Sequence, residues 1–363
     1  MASREDKVKG SLLGLAWGDI LGCPVENWRP AEIAKVFPDY SDLPMSYPRR
    51  VIEDTNPTYT AKLRALGVYS DDTQQALSLL NVALLGWDAT AWVRVLTRGD
   101  VHHAWRGTGA NFRQAVTSLG KGQDYRRTGT TSAGIGAGMR TGPLGGIYLA
   151  DSGQLRRVVL ESALITHGNV MAAAYAYLVA YCTQALILGE SPVRLRATLA
   201  HVALQTEEYI HREFPGWLIH REHLHTLSTV LSYLPQSDWD DLPAMRGWLL
   251  KFAQVNTPVS TRGMRINDPF VLAGGLHALV VGLQAKGNPR ELLADVVRCG
   301  DDTDTVAAIA GSLWGAREGC AWIPINRMVD RRRLVNYGEA MLGRLQPESI
   351  VEFLTAEARL SKL

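Results

Sequence analysis

Two short acidic segments carry the residue types best suited to chemistry. Ser70-Asp71-Asp72-Thr73 and Asp301-Asp302-Thr303-Asp304-Thr305 each stand directly before a run of apolar and small residues. Asp, Ser and Thr are the preferred helix N-caps, and acids favour the positive end of a helix dipole. One cap needs one such residue, whereas these starts carry two and three carboxylates with hydroxyls beside them. Such a surplus of oxygens suits a hard divalent cation. In Asp302-x-Asp304, alternate residues of one turn can aim both carboxylates at a common point. Two such starts facing each other could hold two metals roughly 3.5–4 Å apart. Pure capping is the competing reading, and the spacing favours metal over it.

Other segments supply candidate partners. Residues 10–28 repeat glycine every fourth position, at Gly10, Gly14, Gly18 and Gly22. Glycine weakens a helix, so four in register imply that another backbone must approach this face. Asp19 and Glu26 lie seven apart, but Pro24 places Glu26 just past the helix end. Taken singly, either acid reads more readily as surface than as catalytic. The stretch from Thr128 to Gly146 holds Gly134, Gly136 and Gly138, followed by Met139 and Arg140. Its backbone N–H groups could cradle a phosphate with Arg140 as charged partner. It is no Walker loop, because no Gly-Lys-Ser/Thr follows, and no Rossmann fingerprint, because no strand precedes it. His167 stands between two helical stretches, and a polar cap or core role is its default, with lining of a site as the alternative.

The elements that must position these residues are helices. Residues 73–85 carry apolar residues at 76, 79, 80, 83 and 84, the helical spacing. Ser191-Pro192 and Asn288-Pro289 are N-cap and first-turn pairs, the second after a probable stop at Gly287. Residues 305–316 and 347–363 also read as helices. Strand alternation is nearly absent. Residues 29–69, with prolines at 30, 38, 44, 48 and 57, read as a long excursion. A glycine-rich loop is expected over 120–153, and a loop insertion over about 206–245. The pattern predicts a single all-α domain over 1–363, with a C-terminal helical extension at 331–363.

Composition narrows the function classes. The chain has 363 residues, 46% hydrophobic and 20% charged, enough to bury a large core. A formal net charge of +2 gives no electrostatic case for nucleic acid or membrane. Four scattered cysteines without a Cys-x-x-Cys pair read as reduced thiols. The charged N-terminus lacks a signal-peptide core, so a cytoplasmic location is expected. Residues 168–189 hold no Lys, Arg, Asp or Glu and are long enough to span a bilayer. Their three tyrosines, Asn169, Thr183 and Gln184 favour a buried central helix instead.

Taken together, these segments resemble the ADP-ribosylglycohydrolase family, which includes the dinitrogenase reductase-activating glycohydrolase and the ADP-ribosylarginine and ADP-ribosylserine hydrolases. The resemblance runs from Gly10 to about Pro324 and rests on five motifs in order. Residues 10–26 are similar to the family's opening glycine-rich helix ending in Glu. Residues 70–73 are similar to its Ser/Thr-Asp-Asp-Thr, and 134–145 to its glycine loop with Met-Arg and Pro-Leu-Gly. Thr166-His167 resembles the step that follows, and 300–324 its Gly-Gly-Asp-Thr-Asp-Thr and closing proline.

The resemblance implies a compact orthogonal helical bundle with a central dimetal cleft holding two divalent cations, Mg2+ or Mn2+. It assigns Ser70, Asp71, Asp72, Asp302, Asp304 and Thr305 as ligands, and Glu26, Asp71 and Asp302 as catalytic groups. It places Gly134, Gly136, Gly138, Met139, Arg140 and His167 against ADP-ribose. An ADP-ribosylated protein is the implied substrate, with the arginine linkage favoured and ADP-ribose as product. Serine-, nucleotide- or small-molecule-linked conjugates, or a non-catalytic binding or immunity role, are the alternatives. There are departures from the pattern. Ile135 stands where the family has asparagine, and Asp301 where it has glycine. Residues 106–112 lack the aspartate found in some arginine-linkage hydrolases, Asp100 being the nearest acid.

Overall fold

The computed structural model describes residues 2–219, 223–256 and 263–363, apart from the side chains of residues 60–62. Among these, seventeen α-helices form the molecule, and β structure is confined to two isolated bridges, Thr130 with His167 and Gly134 with Phe270. The first helices are α1 (Arg4–Gly22), α2 (Pro30–Val36), α3 (Arg49–Thr55), α4 (Asp71–Leu84), α5 (Ala89–Val101) and α6 (Ala110–Gly120). There follow α7 (Leu144–Ile147), α8 (Ser152–Leu164), α9 (Val170–Ile187), α10 (Pro192–Glu213), α11 (Thr226–Tyr233) and α12 (Leu242–Val255). The last are α13 (Leu276–Gly282), α14 (Pro289–Arg298), α15 (Thr303–Glu318), α16 (Arg331–Met341) and α17 (Ile350–Leu360). One apolar cluster joins buried residues from Val8 to Leu360.

The centre is the pair α1 and α15, the most extensive helix contact in the molecule. The glycine stripe of α1 meets a second small-residue stripe, Ala307-Gly311-Gly315, on α15. A Cβ on Gly14 would overlap the Gly311 carbonyl, and one on Gly311 would overlap the Gly14 carbonyl. Gly10 stands against Gly315 in the same way, Gly18 against Ala307, and Gly22 against Asp304. Backbones this close leave no room for side chains. The consequence reaches the acidic residues: the end of α1 is pinned to the start of α15. Helix α9 is long and apolar enough to cross a membrane by length and composition, yet 89% of it is buried among the other helices.

Several expected irregular stretches are helical. The excursion at 29–69 contains α2, α3 and a 3-10 turn over Pro57–Lys62, with Pro30 and Pro57 at first-turn positions where no N–H is missed. Region 206–245 is α-helical over about half of its length. Helix α10 continues to Glu213, with Thr206, Glu207 and Ile210 on its buried face, and α11 and the start of α12 follow. The glycine-rich loop contains a 3-10 helix over Ile135–Arg140 and the short α7.

Candidate functional site

The two acidic starts lie along one cavity of about 820 Å³, whose lining includes Glu26, Asp71, Asp72, Asp302, Asp304 and Thr305. The capping reading can be tested here group by group. At the start of α4 the caps are supplied by others. Asp19, fully buried in α1, accepts hydrogen bonds from Ser70 N (2.8 Å), Thr73 N (3.0 Å) and Thr73 Oγ1 (2.6 Å). Ser70 Oγ accepts from Asp72 N at 3.2 Å and donates to Asp72 Oδ2 at 3.0 Å. Asp71 Oδ2 accepts from Gln75 Nε2 at 2.7 Å. Among the described residues Asp72 Oδ1 is buried without a hydrogen-bond partner. Asp302 stands at the N-cap of α15 but makes no capping hydrogen bond, while Asp304 Oδ1 accepts from Thr305 N at 3.0 Å. The start of α4 is therefore capped by Asp19 and Ser70, which leaves one Asp72 oxygen over.

The electrostatics agree. Burial, with Glu26 and Asp19 nearby, pushes Asp71 up to about 8 despite the opposing Arg64. Burial and Glu26 push Asp302 up to about 7. Asp72 is raised well above the usual range by burial, Asp19 and Asp71, and Asp304 by burial, Glu26 and Asp72. Carboxylates this close and this dry hold protons unless a cation replaces them. An orphaned buried carboxylate oxygen in an all-oxygen donor set, with a threonine hydroxyl beside it, fits a hard divalent cation.

A second grouping lies deeper, where ligand atoms of Asp19, Cys23 and Asp304 all fall within 4.8 Å of one another. Asp19 is already saturated there, since Cys23 Sγ also donates to its Oδ1 at 3.0 Å. Burial and the two aspartates raise the Cys23 thiol well above its usual range, so it stays protonated. This grouping anchors α1 to both acidic starts. It also corrects the surface reading of Asp19.

Glu26 follows the 3-10 turn Cys23–Val25 and is half-buried at the cavity wall. It accepts from Asn27 Nδ2 at 3.0 Å and faces Arg64 Nη2 at 3.9 Å. Across the cavity stand Gly134, Ile135, Gly136, Met139 and His167. His167 Nδ1 pairs with Thr166 Oγ1 at 2.9 Å, and burial together with Arg140 pulls the ring down to about 3, so it is neutral at ordinary pH.

Arg140, Gly138 and Ser70 do not line the cavity. Gly138 is closed off by the Tyr175 ring, which a Cβ would meet at 2.6 Å. Arg140 is 1% exposed, and both of its terminal guanidinium nitrogens are bonded inside the protein. It donates to Gln75 Oε1 (2.6 Å), Gly136 O (3.3 Å), Ser162 O (3.0 Å) and Thr166 Oγ1 (2.8 Å), and lies 4.8 Å over the Trp92 ring. The expected diphosphate contact is replaced by a structural one: Arg140 ties Gln75 of α4 to the glycine loop and to the His167 step.

Asp301 now has a physical account. Its φ of +62° and that of Gly300, +74°, are left-handed. Glycine is the easy choice for such a backbone, and Asp is among the few side chains that tolerate it. Asp301 N donates to Trp28 O at 2.8 Å, and its carboxylate pairs with Arg265. Asp301 is not among the residues that line the cavity.

The opposite wall runs from Trp105 through Gly107 to Arg113. Its flat stretch of glycine and alanine carried no sequence signal beyond the missing aspartate. Asp100 is exposed and does not line the cavity.

An all-helical fold with two carboxylate-rich helix starts and a glycine loop lining one cleft points to a class of glycohydrolase-type proteins. More particularly, the chain is a member of the ADP-ribosylglycohydrolase family, whose sequence pattern matches residues 1–350. It is similar to an uncharacterized protein of Archaeoglobus fulgidus, 26% identical over 316 residues, covering 86% of this chain and 88% of that one. It is also similar to the uncharacterized protein YegU of Escherichia coli (strain K12), 24% identical over 324 residues, covering 87% and 89%. In fold it matches a solved structure described as an ADP-ribosylglycohydrolase-related protein complex, with TM-score 0.63 and 22% identity, over 95% of this chain and 99% of that one. Family membership supports a hydrolase acting on ADP-ribose conjugates.

Proposed function

We propose that the protein hydrolyses the glycosidic bond at ribose C1″ of an ADP-ribosyl conjugate, releasing ADP-ribose, with two divalent cations (Mg2+ or Mn2+) bound. What supports this reading is the gathering of Asp71, Asp72, Asp302 and Asp304 on one cavity, with Asp72 Oδ1 left without a hydrogen bond among the described residues. Asp71, Asp72, Asp302, Asp304 and Thr305 would hold the cations, with Ser70 fixing the Asp72 carboxylate from behind. Bound there, the cations would supply Lewis acidity toward the ribose hydroxyls and lower the pKa of a water. Glu26, which lines the same cavity, would take a proton from water or assist the leaving group, with Asp71 and Asp302 as further candidates. The backbone of Gly134 and Gly136 and the neutral His167 ring would receive the ADP portion and fix its orientation. An ADP-ribosylated protein side chain is the proposed substrate.

Release of ADP-ribose from arginine-, serine- and aryl-linked conjugates, with and without divalent cation, tests this. Turnover should require cation and vanish in Asp302→Ala, with the circular dichroism spectrum kept. Turnover by Asp302→Ala in excess chelator overturns the proposal, as does tight binding of ADP-ribose with no conjugate hydrolysed.

A further inference from the structure

A second, smaller cavity of about 290 Å³ adjoins the acidic one and shares Glu26, Asn27 and Gly107 with it. Its other walls come from Trp28 and from the 29–69 excursion, with Tyr47, Tyr59, Leu63 and Arg64. Trp28 is buried, and its ring lies 5.0 Å from that of Tyr59 at an interplanar angle of 52°. Tyr59 Oη donates to Asn27 O at 2.5 Å, which fixes the ring at the wall.

Arg64 stands where the two cavities meet. A Cβ on Gly107 would lie 2.5 Å from Arg64 Nη2 and 3.2 Å from Asp71 Oδ1, so the guanidinium reaches over a bare backbone to the edge of the metal-ligand set. Guanidinium carries five N–H donors. Among the described residues those of Arg64 find one hydrogen bond, to Cys23 Sγ at 3.6 Å, beside the loose ion pair with Glu26 at 3.9 Å. Its remaining donors are free to meet a ligand.

Building on the proposed hydrolysis, but pointing from a protein side chain to a nucleotide- or small-molecule-linked conjugate, we infer that this cavity receives the leaving group and selects a planar, uncharged aromatic ring bearing a hydrogen-bond acceptor. The size suits one ring, lying at the bottom of the ~300–1,000 Å³ range of sites for larger ligands. The aromatic walls offer faces and edges for stacking. Arg64 supplies a donor to a carbonyl on the ring and repels a second guanidinium, which disfavours the arginine linkage. Glu26 repels an anion from the same place. A neutral planar group is repelled by neither.

Calorimetric titration of the full chain, loaded with Mn2+, tests the charge rule with small probes. Benzamide should bind the native protein, and methylguanidinium should bind at least about tenfold more weakly. Arg64→Met should weaken benzamide about tenfold and strengthen methylguanidinium, while Tyr59→Leu should weaken benzamide alone. In turnover, Arg64→Met should shift the ratio of kcat/KM values toward an arginine-linked conjugate and away from an aryl-linked one by a similar factor. Both positions are half-exposed, and thermal melts check that the variants fold. Methylguanidinium binding as tightly as benzamide, or benzamide indifferent to both substitutions, overturns the inference. If the probes behave as expected but no conjugate is hydrolysed, the proposed reaction fails and the subsite stands. If arginine-linked turnover dominates and resists Arg64→Met, the reaction stands and the subsite fails.

Discussion

At the scale of single residues, Arg140 separates two roles that one sequence position cannot distinguish. An arginine after a glycine-rich loop reads as an anion ligand, yet here four acceptors inside the protein take its donors. Arg140→Met leaves Gln75 Oε1, Ser162 O and Thr166 Oγ1 without their charged donor. A hydrogen bond to a charged group contributes ~1.5–3 kcal/mol, and buried orphans add to the loss. The variant should lose several kcal/mol in chemical denaturation, while ADP-ribose affinity in its folded fraction changes little. An affinity loss at unchanged stability would restore the phosphate role. Asp301 teaches a related lesson. Its place among three aspartates suggested shared chemistry, but its left-handed backbone sends the side chain to Arg265.

At the scale of elements, helix starts are held by acids from other helices. Asp19 of α1 serves the start of α4, and Glu207 of α10 serves the start of α11 by accepting from Leu227 N at 3.0 Å and Ser228 N at 3.4 Å. Burial raises Glu207 from 4.5 to about 7, over the opposing pull of those donors. The folded state thus binds its proton more tightly than the unfolded chain. This contribution to stability is fully present below pH 4.5 and is lost as pH rises through about 7. Glu207→Gln, neutral throughout, should gain stability relative to the native protein across that window. Urea midpoints of both proteins on either side of it check this, and a difference independent of pH would refute the assignment. Sequence made the element boundaries largely legible. Ser191, Asn288 and Ser349 each accept a first-turn N–H at the helix start they mark. The helical parts of region 206–245 are hard to read because their polar residues lie on exposed faces and their buried faces are sparse.

At the scale of the whole molecule, the site depends on a helix that lies beyond the family match at residue 350. Fully buried Glu357 of α17 accepts from Tyr69 Oη (2.9 Å) and Gln74 Nε2 (2.7 Å), and pairs with Arg106 (2.9 Å) and Arg333 (2.5 Å). Tyr69 and Gln74 flank Ser70–Thr73, and Arg106 precedes the cavity wall at Gly107. Glu357→Ala would leave two buried guanidinium groups without their shared anion, a loss of ~3–5 kcal/mol. It should lower the melting temperature and reduce cation affinity together, because the same contacts hold the α4 start in place. Normal cation affinity in a strongly destabilised variant would confine Glu357 to a purely structural role.

By itself the sequence determined the all-helical class, the glycine stripe on α1, the two acidic starts and the family. These are local or periodic signals: spacing along the chain already states which face is smooth and where carboxylates exceed the needs of a cap. Only the tertiary structure decided which acids remain unsatisfied, because that depends on donors from distant segments. Asp19 lies 51 residues from Ser70, whose N–H it accepts, and so frees the Asp72 carboxylate. The tertiary structure likewise turned Arg140 inward and brought Arg64 to Glu26. Chain spacing cannot encode those outcomes, since charge and burial are properties of what packs around a group.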